Sequence, residues 1–187
     1  MSKPRVYFGF RSPYSRLGLH VIAREGLDVD LVPFNGPPDG EPFADPFDYP
    51  AKLEYYRQDV PRATMRMGLP IKAPDPFDVD YGPANWAFIM ADREGKGLAL
   101  AVALSDARWG EGKNISDPAV ISDCLSAVGC KADLSHIDDS EVDTALAHHR
   151  TLINQDRVFG VPFGVVGDQK FWGHDRFDIL CETVKDA

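Results

Sequence analysis

Val6-Tyr7-Phe8-Gly9-Phe10-Arg11-Ser12-Pro13-Tyr14-Ser15 is the stretch from which the fold is read. Val6 to Phe10 is a short apolar, aromatic-rich run and predicts a buried strand. Pro13 suits the first turn of a helix, where its missing N–H costs little. A dithiol redox protein with this layout carries Cys-x-x-Cys at the strand-to-helix turn, because a helix N-terminus stabilises a thiolate. Here Ser12 and Ser15 stand at both sulfur positions. The turn keeps a geometry that favours an anion and lacks the redox couple.

Outward from that turn, Tyr14 to Glu25 reads as a helix with Gly26 as its stop signal. Val29 to Phe34 is a second strand, completing a strand–helix–strand unit of the length that a parallel crossover needs. Residues 35–50 are rich in Gly, Pro and Asp, and predict a long loop of the kind that serves as a functional flap. Helical patterns follow at Ala51–Met67, Pro83–Glu94, Gly97–Arg108, Pro118–Val128 and Ser140–Val158. Asp117 before Pro118 is a cap and first-turn pair, and Asp139 or Ser140 is expected to open the last of these helices in the same way. Phe163 to Val166, the turn Gly167-Asp168, and Lys170 to Trp172 predict a hairpin. Asp175 to Lys185 is a final helix with Phe177, Leu180 and Val184 on one face. The order is strand–helix–strand, a helical block, then hairpin and helix.

The 187 residues fit one ordinary domain with a substantial core. A formal charge of −9 argues against nucleic-acid binding, although Arg57, Arg62, Arg66 and Lys72 form a local basic cluster. Cys124, Cys130 and Cys181 are an odd set without Cys-x-x-Cys spacing, so they are expected to be free and wholly or partly buried thiols. Met1 to Arg5 leads directly into a strand without an apolar leader, and no apolar run is near the length of a membrane span. A cytoplasmic setting is the expectation. The histidines at 20, 136, 148, 149 and 174 lack ligand spacing, so no metal site is expected.

The chain resembles the kappa-class glutathione transferases and, more closely, the bacterial 2-hydroxychromene-2-carboxylate isomerases of the DsbA-like group. The resemblance runs from Val6 to about Val184. It is carried by Ser12-Pro13-Tyr14-Ser15, Lys52-x-x-Tyr55-x-x-x-Asp59, Asn114-Ile115-Ser116-Asp117-Pro118, Gly160-Val161-Pro162 and Trp172-Gly173-His174-Asp175-Arg176. It implies an α/β thioredoxin-like fold with a large all-helical insertion. The thioredoxin-like part would comprise 1–49 and 158–187, with the insertion at 50–157. The joining of the two ends in one sheet is what the resemblance implies.

The resemblance also implies glutathione as cofactor, with Ser12 stabilising its thiolate. It implies a cis bond between Val161 and Pro162 that offers the Val161 backbone to the ligand. His174 and Asp175 would receive the γ-glutamyl end, and Lys52 a carboxylate. Arg11, Tyr14, Asn85 and Trp86 are expected on the substrate side. Several have a plainer alternative, and for Pro162 it is a trans proline that opens a strand. Ser12 caps a helix, Asp175 caps the last helix, Lys52 is solvated, Asp59 pairs with Arg62 or Arg66, and Trp86 is core. Ser15 is expected to pack rather than catalyse. A Ser12/His174/Asp175 triad is not expected, since adjacent residues seldom orient one another.

Three departures from the pattern stand out. Gly9 replaces an acidic residue, Arg11 an apolar one, and Phe163 a Thr or Ser. Three functions remain open. One is a glutathione-dependent isomerase acting on an aromatic-degradation intermediate. The second is a kappa-type transferase or peroxidase, and the third a catalytically silent thioredoxin-like binding module. A small aromatic or electrophilic substrate and a homodimer are what the resemblance implies for partners.

Overall fold

The computed structural model describes residues 3–132 and 139–186, the side chain of Asp139 excepted. His136 and the expected Asp139 cap therefore lie outside the described residues. The elements in chain order are β1 (Arg5–Phe8), α1 (Pro13–Glu25), β2 (Asp30–Pro33), α2 (Pro50–Arg66), α3 (Gly82–Arg93) and α4 (Gly97–Trp109). They continue with α5 (Pro118–Ala127), α6 (Asp139–Asp156), β3 (Phe163–Val166), β4 (Gln169–Trp172) and α7 (Phe177–Lys185).

The four strands form one sheet in the order β2-β1-β3-β4. β1 pairs in parallel with β2, from Arg5 opposite Asp30 to Phe8 opposite Pro33. On its other side β1 runs antiparallel to β3, with Tyr7 opposite Phe163. The β3–β4 hairpin turns at Gly167, whose φ of 61° suits glycine. The two chain ends thus share a sheet, as expected, and among the described residues 85–150 contain no strand.

Both faces of β1 are covered, which is why its sequence is a continuous apolar run rather than an alternation. Val6 and Phe8 join the larger core with Leu19, Ile22, Phe88, Leu100 and Leu104. Tyr7 faces the smaller core with Val32, Ile153, Val158, Phe163 and Val165. The larger core is continuous from the sheet into the helical block, so the helices are packed onto the sheet unit as one hydrophobic body.

β1 ends two residues earlier than the apolar run predicts. The Gly9 N–H donates to Ser15 Oγ at 3.1 Å, and the Gly9 carbonyl accepts from the Ser12 N–H at 2.9 Å. Those bonds turn the backbone into α1. Gly26, at φ 62°, closes α1 by donating back to the Ala23 and Ile22 carbonyls. Asp117 caps α5 as expected, accepting from the Ala119 N–H at 2.9 Å. The plainer alternative for Asp175, a cap on the last helix, does not form. The chain enters α7 through a 3-10 turn at His174–Arg176, and Asp175 pairs with Arg176 at 2.9 Å instead.

Two glycines permit the closest packing around the site. A Cβ at Gly18 would stand 2.7 Å from the Phe177 ring and 3.2 Å from Pro162 Cβ. One at Gly164 would stand 1.8 Å from a Leu180 methyl. Two buried arginines secure the segment before α3. Arg16 holds Asp106 at 2.6 Å and donates to the Pro70 carbonyl at 2.7 Å. Arg108 donates to the Phe77 carbonyl and, at 3.0 Å, to the Tyr81 hydroxyl. Among the described residues no helix is long and apolar enough to cross a membrane.

Candidate functional site

The site is built on the N-terminus of α1. Ser12 Oγ accepts from the Ser15 N–H at 3.1 Å, which makes it the helix cap. The same hydroxyl donates to the Val161 carbonyl at 3.3 Å. The Val161–Pro162 bond is cis, as expected. The Pro162 carbonyl accepts from the Gly173 N–H at 2.9 Å, which brings the Trp172–His174 corner to the same place. Among the described residues the N–H groups of Tyr14 and Val161 have no partner. The helix end therefore offers an unpaired donor, the positive end of its dipole and a hydroxyl. Ser15 is fully buried and occupied by the Gly9 N–H, which is the packing role expected of it.

Around this turn lies an aromatic cluster. Tyr14 stacks on His174 with ring centroids 5.0 Å apart and planes 10° apart. Tyr56 of α2 meets Tyr14 edge-on at 5.6 Å. Lys52 Nζ lies 5.9 Å from the Tyr56 ring centre. The Tyr14 hydroxyl donates to Asp59 at 2.7 Å, and Asp59 also pairs with Arg62 at 3.3 Å. Lys52, Tyr56 and Asp59 are spaced four and three apart, so one face of α2 carries all three toward Tyr14. That spacing was a usable signal for Tyr56, which sequence reasoning missed.

The electrostatics follow from these contacts. The Tyr14 hydrogen bond holds the Asp59 carboxyl below the usual aspartate range, helped by Tyr55 and Arg62. Burial, with Asp59 adding, pushes the Tyr14 phenol well up. Burial lowers the His174 imidazole, against the opposing pull of Asp175 and Asp59. At neutral pH Tyr14 and His174 are uncharged and Asp59 is an anion.

Arg11 is expected on the substrate side. In the structure it reaches Asp45 at 2.8 Å and Asp78 at 3.3 Å, with its guanidinium 5.2 Å from the Phe47 ring centre. Partial burial works against its charge, and Asp45 and Asp78 outweigh that. The 35–50 loop is tied down elsewhere too, through Asp39 to Arg150 and Asn154 and through Glu41 to Arg157. Trp86 packs against the larger core, its plainer alternative. Asn85 sits beside it on α3, and no contact among the described residues links it to Ser12 or His174. Phe163 is buried in the smaller core, on the sheet face opposite α1. A Cβ at Gly9 would meet only Val161 Cγ2, at 3.5 Å, so the small residue there leaves ordinary room.

The three cysteines are free, Cys124 and Cys181 buried and Cys130 partly so. Burial pushes the Cys124 thiol up to about 11. No sulfur stands at Ser12 or Ser15. Among the described residues no three His, Cys, Asp or Glu side chains converge as a metal site would require.

Comparison with known proteins places the family and the fold. The chain is similar to 2-hydroxychromene-2-carboxylate isomerase of Pseudomonas putida, 28% identical over 188 residues, covering 93% of this chain and 90% of that one. The enzyme of the same name from Sphingobium xenophagum is 27% identical, covering 96% of each chain. Among solved structures, a 2-hydroxychromene-2-carboxylate isomerase superposes with a TM-score of 0.72 at 23% identity, over 98% of this chain and 94% of that one. The cytosolic disulfide reductase DsbM of Pseudomonas aeruginosa, solved with GSH, superposes with a TM-score of 0.67 at 18% identity, over 98% and 99%. These two superpositions show a shared fold. The family profile of the DSBA-like thioredoxin domain matches residues 5–185, and the chain therefore belongs to that family.

Proposed function

We propose that the protein is a glutathione-dependent isomerase of the 2-hydroxychromene-2-carboxylate type, acting on an aromatic-degradation intermediate. The observation that carries this reading is the meeting of Ser12 Oγ, the capping group of α1, with the Val161 backbone across the cis bond. The residues present fit a thiol-bearing tripeptide. The unpartnered Tyr14 N–H, the Ser12 hydroxyl and the helix dipole favour a thiolate, and the unpartnered Val161 N–H suits a peptide carbonyl. The Val161 carbonyl accepts from Ser12 in this structure and is freed for the ligand backbone when that one O–H turns to the sulfur. The names of the two curated relatives support the choice of reaction.

Glutathione held by Ser12, the Tyr14 N–H and the Val161 backbone would supply a nucleophilic thiolate as covalent catalyst for the isomerisation. The chain's own work is positional and electrostatic. Ser12 turns its hydroxyl toward the sulfur and holds it ionised. Val161 aligns the ligand backbone. Lys52 and the His174/Asp175 corner receive the charged ends. Proximity and a preorganised dipole supply the rate, and no nucleophile from the protein is needed. The reading includes a homodimer in the cytoplasm.

One observation favours a second reading. Arg11 is held by two carboxylates, which removes the free cation nearest Ser12 and suits a silent binding module. A kappa-type transferase would use the same residues and keep the adduct. The discriminating experiment follows 2-hydroxychromene-2-carboxylate by absorbance with and without glutathione, alongside thermal melting in millimolar glutathione. Isomerisation only with glutathione, together with a raised melting temperature, is expected. An equal rate without glutathione rejects the dependence. Stabilisation without turnover selects the silent module.

A further inference from the structure

An open groove of about 420 Å³ lies off the Ser12 turn, beside the β4 edge of the sheet. Its lining is Glu41, Arg157, Phe159, Phe163, Lys170 and Trp172. None of these residues takes part in the chemistry proposed above. We infer that this groove is a binding site for a planar aromatic carboxylate, separate from the Ser12 cleft.

The walls are aromatic and set at steep angles. Phe159 meets Trp172 at 5.0 Å with planes 63° apart, and meets Phe163 at 5.5 Å with planes 85° apart. Phe163 is buried and fixes the inner wall, while Phe159 and Trp172 remain 50% and 54% exposed. Phe159 thus packs edge-on against both neighbours, and the half-exposed surfaces of Phe159 and Trp172 give a third ring an aromatic face to lie on. Gly160 lets the indole lie close across the loop, since a Cβ there would stand 3.2 Å from Trp172 Nε1. The groove volume is ample for a bicyclic ring system.

The charge of the groove is opposite to that of the chain. Against a net −9, it gathers Arg157 and Lys170 with one carboxylate, Glu41. Arg157 pairs with Glu41 through one terminal nitrogen. Lys170 donates to the Asp156 carbonyl at 2.6 Å. An ammonium has three donors and a guanidinium five, so both keep donors to offer. Arg157 also sits at φ 57°, a conformation that glycine would adopt more easily. A side chain is kept there at a backbone cost, and that side chain reaches into the groove. Aromatic walls with cations at hand recognise a flat ring bearing a carboxylate.

The inference stands apart from the isomerase reading, because its test needs no turnover. ¹⁵N-labelled protein is titrated with 2-naphthoate while the indole N–H signals of Trp86, Trp109 and Trp172 are followed. Trp109 serves as an internal control, since its indole donates to the Phe10 carbonyl at 2.9 Å in the core. Trp172→Phe assigns the third signal, and melting curves verify that each variant folds. The expected result is a saturable shift of Trp172 alone. Affinity should fall about tenfold in Lys170→Met and about as much for the uncharged 2-naphthalenemethanol. An unmoved Trp172 signal overturns the inference, as does equal binding of the alcohol or full affinity in Lys170→Met. A Trp172 signal that responds to protein concentration but not to naphthoate also overturns it, and marks the surface as one that covers a second copy.

Discussion

The Tyr14 hydroxyl donates to Asp59 at 2.7 Å, joining the first turn of α1 to α2. This bond ties the helix that carries Ser12 to the helical block. Tyr14→Phe keeps the ring against His174 and Tyr56 and removes only the donor. A hydrogen bond to a charged group contributes about 1.5–3 kcal/mol, so urea unfolding of the variant should show a loss in that range. The Asp59 carboxyl should titrate higher in the variant, since that bond is the main cause of its lowered value. An unchanged midpoint in urea would mean that Arg62 and Tyr55 alone hold Asp59.

Much of the fold was legible in the sequence because its signals are local. Val6–Phe8, Gly26, Asp117 and the Gly167 turn each act within a few residues of themselves. Of the candidate site, the meeting of Ser12 with Val161 and the cis Val161-Pro162 bond were legible through the family motifs. What escaped was set by distant partners. Nothing near Arg11 announces Asp45 or Asp78, which arrive on two separate loops. His174 stacks on Tyr14 only because the sheet brings residues from both chain ends together. Asp175 reads as a cap because it precedes a helical pattern, yet the 3-10 turn moves it off the cap position. Tyr56 was within reach, from its four- and three-residue spacing to Lys52 and Asp59.

Arg16 is 1% exposed, and its carboxylate partner Asp106 also accepts from or pairs with His20 at 2.8 Å. Burial opposes the Asp106 charge, and the bonds from His20 and Arg16 bring its carboxyl below the usual range regardless. Asp106→Asn leaves a buried guanidinium without its counter-charge and should cost about 3–5 kcal/mol. Combining it with Arg16→Met should cost less than the sum of the two single changes, measured by urea denaturation as a double-mutant cycle. Strict additivity would show that the pair does not couple.

His149 sits half-buried on α6, and burial lowers its imidazole from 6.5 to about 4. Between those values the unfolded chain binds a proton that the folded chain refuses. Stability should therefore fall as pH drops from about 6.5 toward 4, and should be insensitive to this group above 6.5. The full contribution is about 1–3 kcal/mol after allowance for partial exposure. His149→Gln should flatten that part of the profile in thermal melts at a series of pH values. A variant profile as steep as the parent's would assign the acid sensitivity to the carboxylates.

The most direct test of the central claim is a titration of thiolate absorbance against pH with glutathione saturating, in the parent protein and in Ser12→Ala. The parent should lower the pKa of the bound thiol. The variant should raise it again, because the anion loses a donor while the helix N-terminus remains. Turnover should fall by about one to two decades, more than binding does. An unchanged thiol pKa with unchanged turnover would leave Ser12 as a helix cap and contradict its role as the group that holds the thiolate.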